Sequence, residues 1–199
     1  MKPEIEAKFL NVDHDVLREK LQKIGAELVT PMRLMKRKNF DYPDNRLFSI
    51  GGWVRVRDEG NGKITMSYKQ LNDRSLEGTH EVQLTIDSFD LAESFLSVIG
   101  LEPKSYQETK RESWRLNDFE IELDEWPWSK PYIEIEGSDE ASLKELAEQL
   151  NLNWDVVCHG SVEIVYQAEY DVSDEVIDQI PVFRFEDETP RELQEKKRK

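Results

Sequence analysis

Polar and apolar residues alternate with a period of two through much of this chain, and that pattern demands extended strands with two unlike faces. Between Pro3 and Leu10, Glu4, Glu6 and Lys8 alternate with Ile5, Ala7 and Phe9. Arg55 and Arg57 alternate with Val54 and Val56, and Thr65, Ser67 and Lys69 with Ile64, Met66 and Tyr68. Further on, Thr79, Glu81, Gln83 and Thr85 face away from Val82, Leu84 and Ile86. Glu120, Glu122 and Asp124 oppose Phe119, Ile121 and Leu123, and Glu134 and Glu136 oppose Ile133 and Ile135. Residues 34–42 and 105–116 are extended but less regular. About eight strands result, joined mostly by turn signals such as Gly60-Asn61-Gly62, which reads as a hairpin turn.

Helical periodicity appears between the strands. Residues 13–25 carry Val16, Leu17, Leu21 and Ile24 and stop at Gly25, and residues 87–100 end the same way at Gly100. Residues 138–152 form a helix with Ser138 as the expected N-cap, and 160–170 and 173–180 form shorter ones. The charged run 191–199 is expected to be solvated and frayed. No repeat or linker divides the 199 residues, so one domain is the simplest organisation.

The polar faces are not mixtures of Ser, Thr, Lys and Glu. Carboxylates pair at i, i+2 in Glu4/Glu6, Glu122/Asp124 and Glu134/Glu136, while Arg55/Arg57 is an arginine pair and Lys69 and Arg111 add single cations. Like charges two apart on one strand face repel, and a solvated sheet gains nothing from collecting them. They make sense if a ligand sits between them. Carboxylate oxygens suit a hard divalent cation, Mg²⁺ or Mn²⁺, and guanidinium groups suit phosphates. Converging faces of both kinds imply a metal–polyphosphate site. If the polar faces point inward, the sheet closes into an eight-stranded antiparallel β-barrel with a polar lumen, and amphipathic helices cover its apolar outside. The fold class is α+β.

Charge and cysteine usage limit the alternatives. With 27 Lys and Arg against 42 Asp and Glu, the net charge is −15, which repels nucleic acid and anionic membranes. Cys158 is the single cysteine, so an intrachain disulfide or a cysteine zinc site is impossible and a reducing, cytoplasmic setting is expected. The first residues show no apolar leader, and no run approaches the roughly 20 apolar residues of a membrane span. His14, His80 and His159 are scattered and read as packing or surface residues, Cys158 as a buried structural thiol, and Trp126 and Trp128 as loop packing. No phosphate-binding glycine loop is present.

The ordered set Glu4-x-Glu6-x-Lys8, Arg55-x-Arg57, Lys69, Glu81, Arg111, Glu122-x-Asp124 and Glu134-x-Glu136 resembles the CYTH domain of the triphosphate tunnel metalloenzyme superfamily. The resemblance covers residues 3–170 and implies a tunnel domain over 1–170, with 171–199 as a C-terminal extension of the same domain. It implies Glu4, Glu6, Glu134 and Glu136 as metal-site carboxylates, with Asp124, Glu122 and Glu81 beside them. It implies Lys8, Arg55, Arg57, Lys69 and Arg111 as triphosphate contacts, and Mg²⁺ or Mn²⁺ as cofactor. Two positions depart from the family: Thr79 and Thr109 stand where cations are common, and parity turns Lys110 to the other face. In residues 34–40 parity leaves open whether Arg37 or the pair Lys36 and Lys38 faces inward.

The expected function is hydrolysis of inorganic triphosphate, ATP or thiamine triphosphate by a monomer or homodimer, with Lys8 or Glu81 activating water. The alternatives are a class IV adenylyl cyclase, in which the ribose 3′-hydroxyl attacks the α-phosphate, and a non-catalytic polyphosphate- or nucleotide-binding module.

Overall fold

The computed structural model describes residues 2, 3 and 5–198. Among these residues ten strands form one sheet: β1 (Lys2–Pro3), β2 (Glu6–Leu10), β3 (Glu27–Asp41), β4 (Gly52–Asp58), β5 (Ile64–Leu71), β6 (Thr79–Ile86), β7 (Glu102–Leu116), β8 (Phe119–Glu125), β9 (Tyr132–Glu136) and β10 (Val182–Phe183). Their order is β1-β6-β5-β4-β3-β7-β8-β9-β2, every neighbour antiparallel, with β10 added in parallel on β7. The Gly60-Asn61-Gly62 turn joins β4 to β5, with Gly60 and Gly62 both at positive φ.

The sheet is strongly curled but open, not the closed barrel expected from sequence. The N-terminal extended segment is split. Lys2 and Pro3 pair with Glu81 and His80 of β6, whereas Glu6–Leu10 pair with β9 at the opposite edge. Closure would need β2 to form a ladder with β6. That edge of β2 is instead occupied at Lys8, whose backbone N–H donates to the Cys158 carbonyl at 3.0 Å and whose carbonyl accepts from the Cys158 N–H at 2.9 Å. Backbone groups at a buried edge require partners, and the 158–159 segment supplies them in place of β6.

Among the described residues there are six α-helices, α1 (His14–Lys23), α2 (Phe89–Val98), α3 (Glu140–Gln149), α4 (Glu163–Glu169), α5 (Asp174–Asp178) and α6 (Arg191–Gln194), of which α1, α2 and α3 cover the outer face of the sheet. Among the described residues no helix is long and apolar enough to cross a membrane. Asp13 caps α1 by accepting from the Asp15 and Val16 N–H groups at 2.9 and 3.1 Å. The cap of α3 is Asp139, which accepts from Ser142 N–H at 2.9 Å; the expected cap, Ser138, only donates its hydroxyl to Asp139.

The apolar strand faces pack outward against these helices. Ala7, Phe9, Ile121, Leu123, Ile133 and Ile135 meet Leu17 and Leu21 of α1 and Leu143 and Leu146 of α3. Phe40 and Val56 meet Ala92 and Leu96 of α2. A third cluster lies instead on the inner side of the sheet, where Trp126 and Tyr132 meet Tyr166, Ile177, Phe183 and Leu193, and Trp126, Tyr132, Ile177 and Phe183 line the cavity. The C-terminal run is therefore docked rather than frayed. Leu193 is completely buried, the Asp171 N–H donates to the Lys196 carbonyl at 2.8 Å, and the Arg198 N–H donates to the Glu169 carbonyl at 2.7 Å. One apolar residue every few positions is enough to seat a short charged helix. Exposed Leu84 and Val82 lie on the outer face of β6, away from these clusters.

Leu143 is wholly buried between α3 and the sheet. Leu143→Ala should cost about 2–5 kcal/mol of unfolding free energy, read as a lower urea midpoint at unchanged slope.

Candidate active site

With their apolar sides turned out, the strands turn their charges inward onto a cavity of about 1120 Å³. One wall is acidic. The register pairs Glu6 with Glu136, Lys8 with Glu134, Glu122 with Glu134 and Glu120 with Glu136, so β2, β8 and β9 present their carboxylates on one face. Lys8 Nζ lies 2.5 Å from Glu6 Oε1 and 3.0 Å from Glu134 Oε2. Arg111 on β7 donates twice to Asp124, from Nε at 2.7 Å and from Nη2 at 2.6 Å, and lies 3.6 Å from Glu134 and 3.8 Å from Glu122. Such bidentate contacts are the strongest form of the guanidinium–carboxylate pair. Glu4 lies outside the described residues.

The other wall is basic. Arg55 Nη2 donates to Glu81 Oε1 at 3.1 Å, and Lys69 Nζ lies 3.5 Å from Glu81 Oε2. Arg57 Nε donates to Glu59 Oε1 at 2.8 Å, and the Thr65 hydroxyl donates to the same oxygen at 2.8 Å. Two arginines join from β3. Arg33 donates to the carbonyls of Glu59 and Arg111, both at 2.9 Å, and to Ser113 Oγ at 3.0 Å. Arg37 donates to Thr109 Oγ1 at 2.7 Å and lies over the Trp126 ring at 4.7 Å.

Burial and neighbouring charge set the titration of these groups. Burial alone would raise Glu134, but Lys8 and Arg111 outweigh it and hold its carboxyl well below the usual range. Burial likewise opposes the charge on Lys8 and on Arg111. Glu134 and Glu6 nevertheless raise Lys8, and Asp124 and Glu122 raise Arg111. Glu122 is pushed up to about 7, chiefly by burial, and its Oε2 is buried with no hydrogen-bond partner. Glu136 is raised by burial and then by Glu120, Glu134 and Glu6. Arg55 is pushed down to about 10 by burial and by Arg57, and Arg37 falls well below the usual range through burial and then Arg55, Arg57 and Arg111.

All the described residues singled out from sequence, Glu6, Lys8, Arg55, Arg57, Lys69, Glu81, Arg111, Glu122, Asp124, Glu134 and Glu136, therefore reach the inner face or its immediate ion pairs. Sequence reasoning missed Glu59, which follows the end of β4, and Arg33, which lies in a bulged stretch of β3 where alternation fails. It left Arg37 undecided because Lys36, Arg37 and Lys38 put a cation on both faces. The structure sends Arg37 inward, exposes Lys36, and ties Lys38 to Glu93 of α2 at 2.6 Å. Lys110 points outward as parity required, 3.6 Å from Glu125.

The remaining residues have local partners. The His14 ring contacts the Tyr132 carbonyl at 3.1 Å, and the His159 ring contacts the Glu6 carbonyl at 3.0 Å. Cys158 is half-buried rather than buried, because its backbone bridges Lys8 and its thiol lies at the loop surface. Trp126 packs edge-on against Tyr166 and Phe183, and Trp128 against Phe183.

Comparison with known proteins agrees with this geometry. The CYTH domain family profile matches residues 2–155. No curated protein matches the chain. Among solved structures, a candidate adenylate cyclase from Vibrio parahaemolyticus superposes with a TM-score of 0.70 at 20% identity, covering 83% of this chain and 98% of that one. The PH1012 protein of Pyrococcus horikoshii OT3 gives 0.64 at 20% identity, covering 77% and 93%. A candidate adenylyl cyclase from Hippeastrum, described by a dominant triphosphatase activity, gives 0.60 at 18% identity, covering 90% and 95%. At these identities the likeness establishes the fold, and the profile match over most of the chain establishes the family: this protein has the fold of these structures and belongs to the CYTH domain family.

Proposed function

We propose that the protein is a divalent-metal-dependent triphosphatase that releases the terminal phosphate of inorganic triphosphate, ATP or thiamine triphosphate. The observation that carries this reading is the division of one cavity into a carboxylate wall on β2, β8 and β9 and a guanidinium–ammonium wall on β3, β4 and β5. A polyphosphate with a bound divalent cation is complementary to both walls at once.

Glu6, Glu134 and Glu136, with Glu122 and Asp124 beside them, offer an all-oxygen donor set of the kind Mg²⁺ and Mn²⁺ prefer. Among the described residues no three carboxylates converge on one point, because Glu6 and Glu134 meet at Lys8 and Asp124 is held by Arg111. The fit rests on the chemistry of the remaining groups. The orphaned oxygen of Glu122 and the mutual repulsion around Glu136 are both relieved by a cation. When bound, the metal would polarise phosphoryl oxygens.

The residues of this chain do the rest. Arg55, Arg57, Lys69 and Arg111 orient the phosphate chain and balance charge as it develops. Lys8 keeps its proton, so it donates to phosphoryl oxygens and cannot take a proton from water. Glu81 is the better acceptor. Phosphate oxygens compete with it for Arg55 and Lys69, and a carboxylate relieved of those contacts can accept a proton from the attacking water. Cyclisation of ATP on the same clamp is a second reading, favoured by the fold shared with the Vibrio protein. It additionally requires a nucleoside pocket beside the clamp.

Incubation with each of the three substrates and Mg²⁺ or Mn²⁺ should release orthophosphate, and chromatography of the ATP reaction should show no cyclic AMP; cyclic AMP with pyrophosphate would replace hydrolysis by cyclisation. Arg57→Glu should lower triphosphate affinity about a hundredfold or more, since it removes a phosphate contact and adds a like charge. Unchanged binding by calorimetry would remove Arg57 from the clamp.

A pH effect follows from Glu122. Its folded-state carboxyl titrates near 7 against an ordinary 4.5, so between these pH values the folded chain retains a proton that the unfolded chain has lost, and stability falls as pH rises. Glu122→Gln should match the native chain near pH 4.5 and exceed it by roughly 1–3 kcal/mol at pH 7.5 in metal-free buffer. A difference that does not change between the two pH values would contradict this.

A further inference from the structure

Arg37 differs from every cation discussed as a triphosphate contact. Lys8, Arg55, Arg57, Lys69 and Arg111 each have a carboxylate within 4 Å. Arg37 is buried, and among the described residues it makes no ion pair. Among the described residues its one hydrogen-bond acceptor is the neutral hydroxyl of Thr109, and its Nε is buried without a partner. The β3–β4 register sets it directly opposite Arg57, with Asn39 opposite Arg55 on the same face. Like charges opposed on adjacent strands are destabilising, and an uncompensated buried charge costs several kcal/mol. Burial and the three surrounding arginines also push its guanidinium well below the usual range. Arg37, Arg55 and Arg57 all line the cavity.

Resting on the triphosphatase reading, we propose that Arg37 is a further substrate-binding residue: with Arg55 and Arg57 it forms a three-guanidinium subsite that receives a phosphoryl group of the triphosphate. A phosphoryl group supplies what this corner lacks. It brings one or two negative charges and several acceptor oxygens, enough for the unpartnered Nε of both Arg37 and Arg55. Thr109 accepts a hydrogen bond from Nη2 and the Trp126 ring lies 4.7 Å from the guanidinium carbon, which together hold the group in place and leave Nε for the ligand. A lysine at this position could neither stack nor present a fork.

The alternative is that Arg37 only packs the sheet interior, and the two roles differ in the sign of one measurement. A packing residue stabilises the ligand-free protein; a pre-placed cation strains it. Arg37→Gln should weaken binding of inorganic tripolyphosphate about tenfold or more by calorimetry, while the ligand-free melting temperature does not fall. Arg37→Lys, which keeps the charge, should bind more tightly than Arg37→Gln. Unchanged affinity in Arg37→Gln would overturn the subsite. So would a lower ligand-free melting temperature or failure to fold, since either marks a packing role, and so would equal weakness of the Lys and Gln variants. Failure of the native chain to bind tripolyphosphate would instead overturn the triphosphatase reading. Native binding with Arg37→Gln unaffected would leave that reading intact and remove only Arg37.

Discussion

The structure depends on placing charge inside a curled sheet. An ordinary small barrel fills its interior with apolar side chains, and its stability comes from there. Here the interior is occupied by Lys8 between Glu6 and Glu134, and by Arg111 clasping Asp124. Buried ion pairs of this kind roughly offset their own desolvation and add little net stability. The apolar faces therefore have to be buried elsewhere, and they are, under α1, α2 and α3. The helices are the condition that allows the sheet to turn its charges inward.

The same constraint explains why the two walls differ. On the acidic wall, carboxylates outnumber cations around Glu136, which is raised by burial and then by three other glutamates. On the basic wall, Arg37 faces Arg57 and among the described residues has no carboxylate of its own. A protein selected only for stability would neutralise both. Under the proposed function, charges left uncompensated across one cavity would be complementary to a ligand before it binds, and placing these groups in advance would spare reorganisation on binding.

The opening of the sheet follows from how the outer edge of β2 is capped. The segment at Cys158 and His159 satisfies β2 at Lys8 and Glu6. In doing so it holds the backbone of the strand that carries the central ammonium. The C-terminal elements, through Phe183, Tyr166 and Leu193, pack on Trp126, which in turn supports Arg37. Residues remote in sequence thus position both walls of the site.

Much of this was legible in the chain itself. Period-2 alternation determined the strands and their faces, and the collection of like charges on one face determined that this face encloses something. The ordered set from Glu4 to Glu136 resembled the family that the profile match shows, and those of its members that lie among the described residues gather around one cavity. Alternation carries no information on which edges meet, so the open edge of β2 and its capping by Cys158 needed the tertiary structure. Parity also fails where cations sit on both faces, as at Lys36, Arg37 and Lys38, or where a bulge shifts the register, as near Arg33. Only the folded register, which sets Arg37 opposite Arg57 and against Thr109, decided which cation enters the tunnel, because pairing between strands is a property of the sheet and not of any one segment.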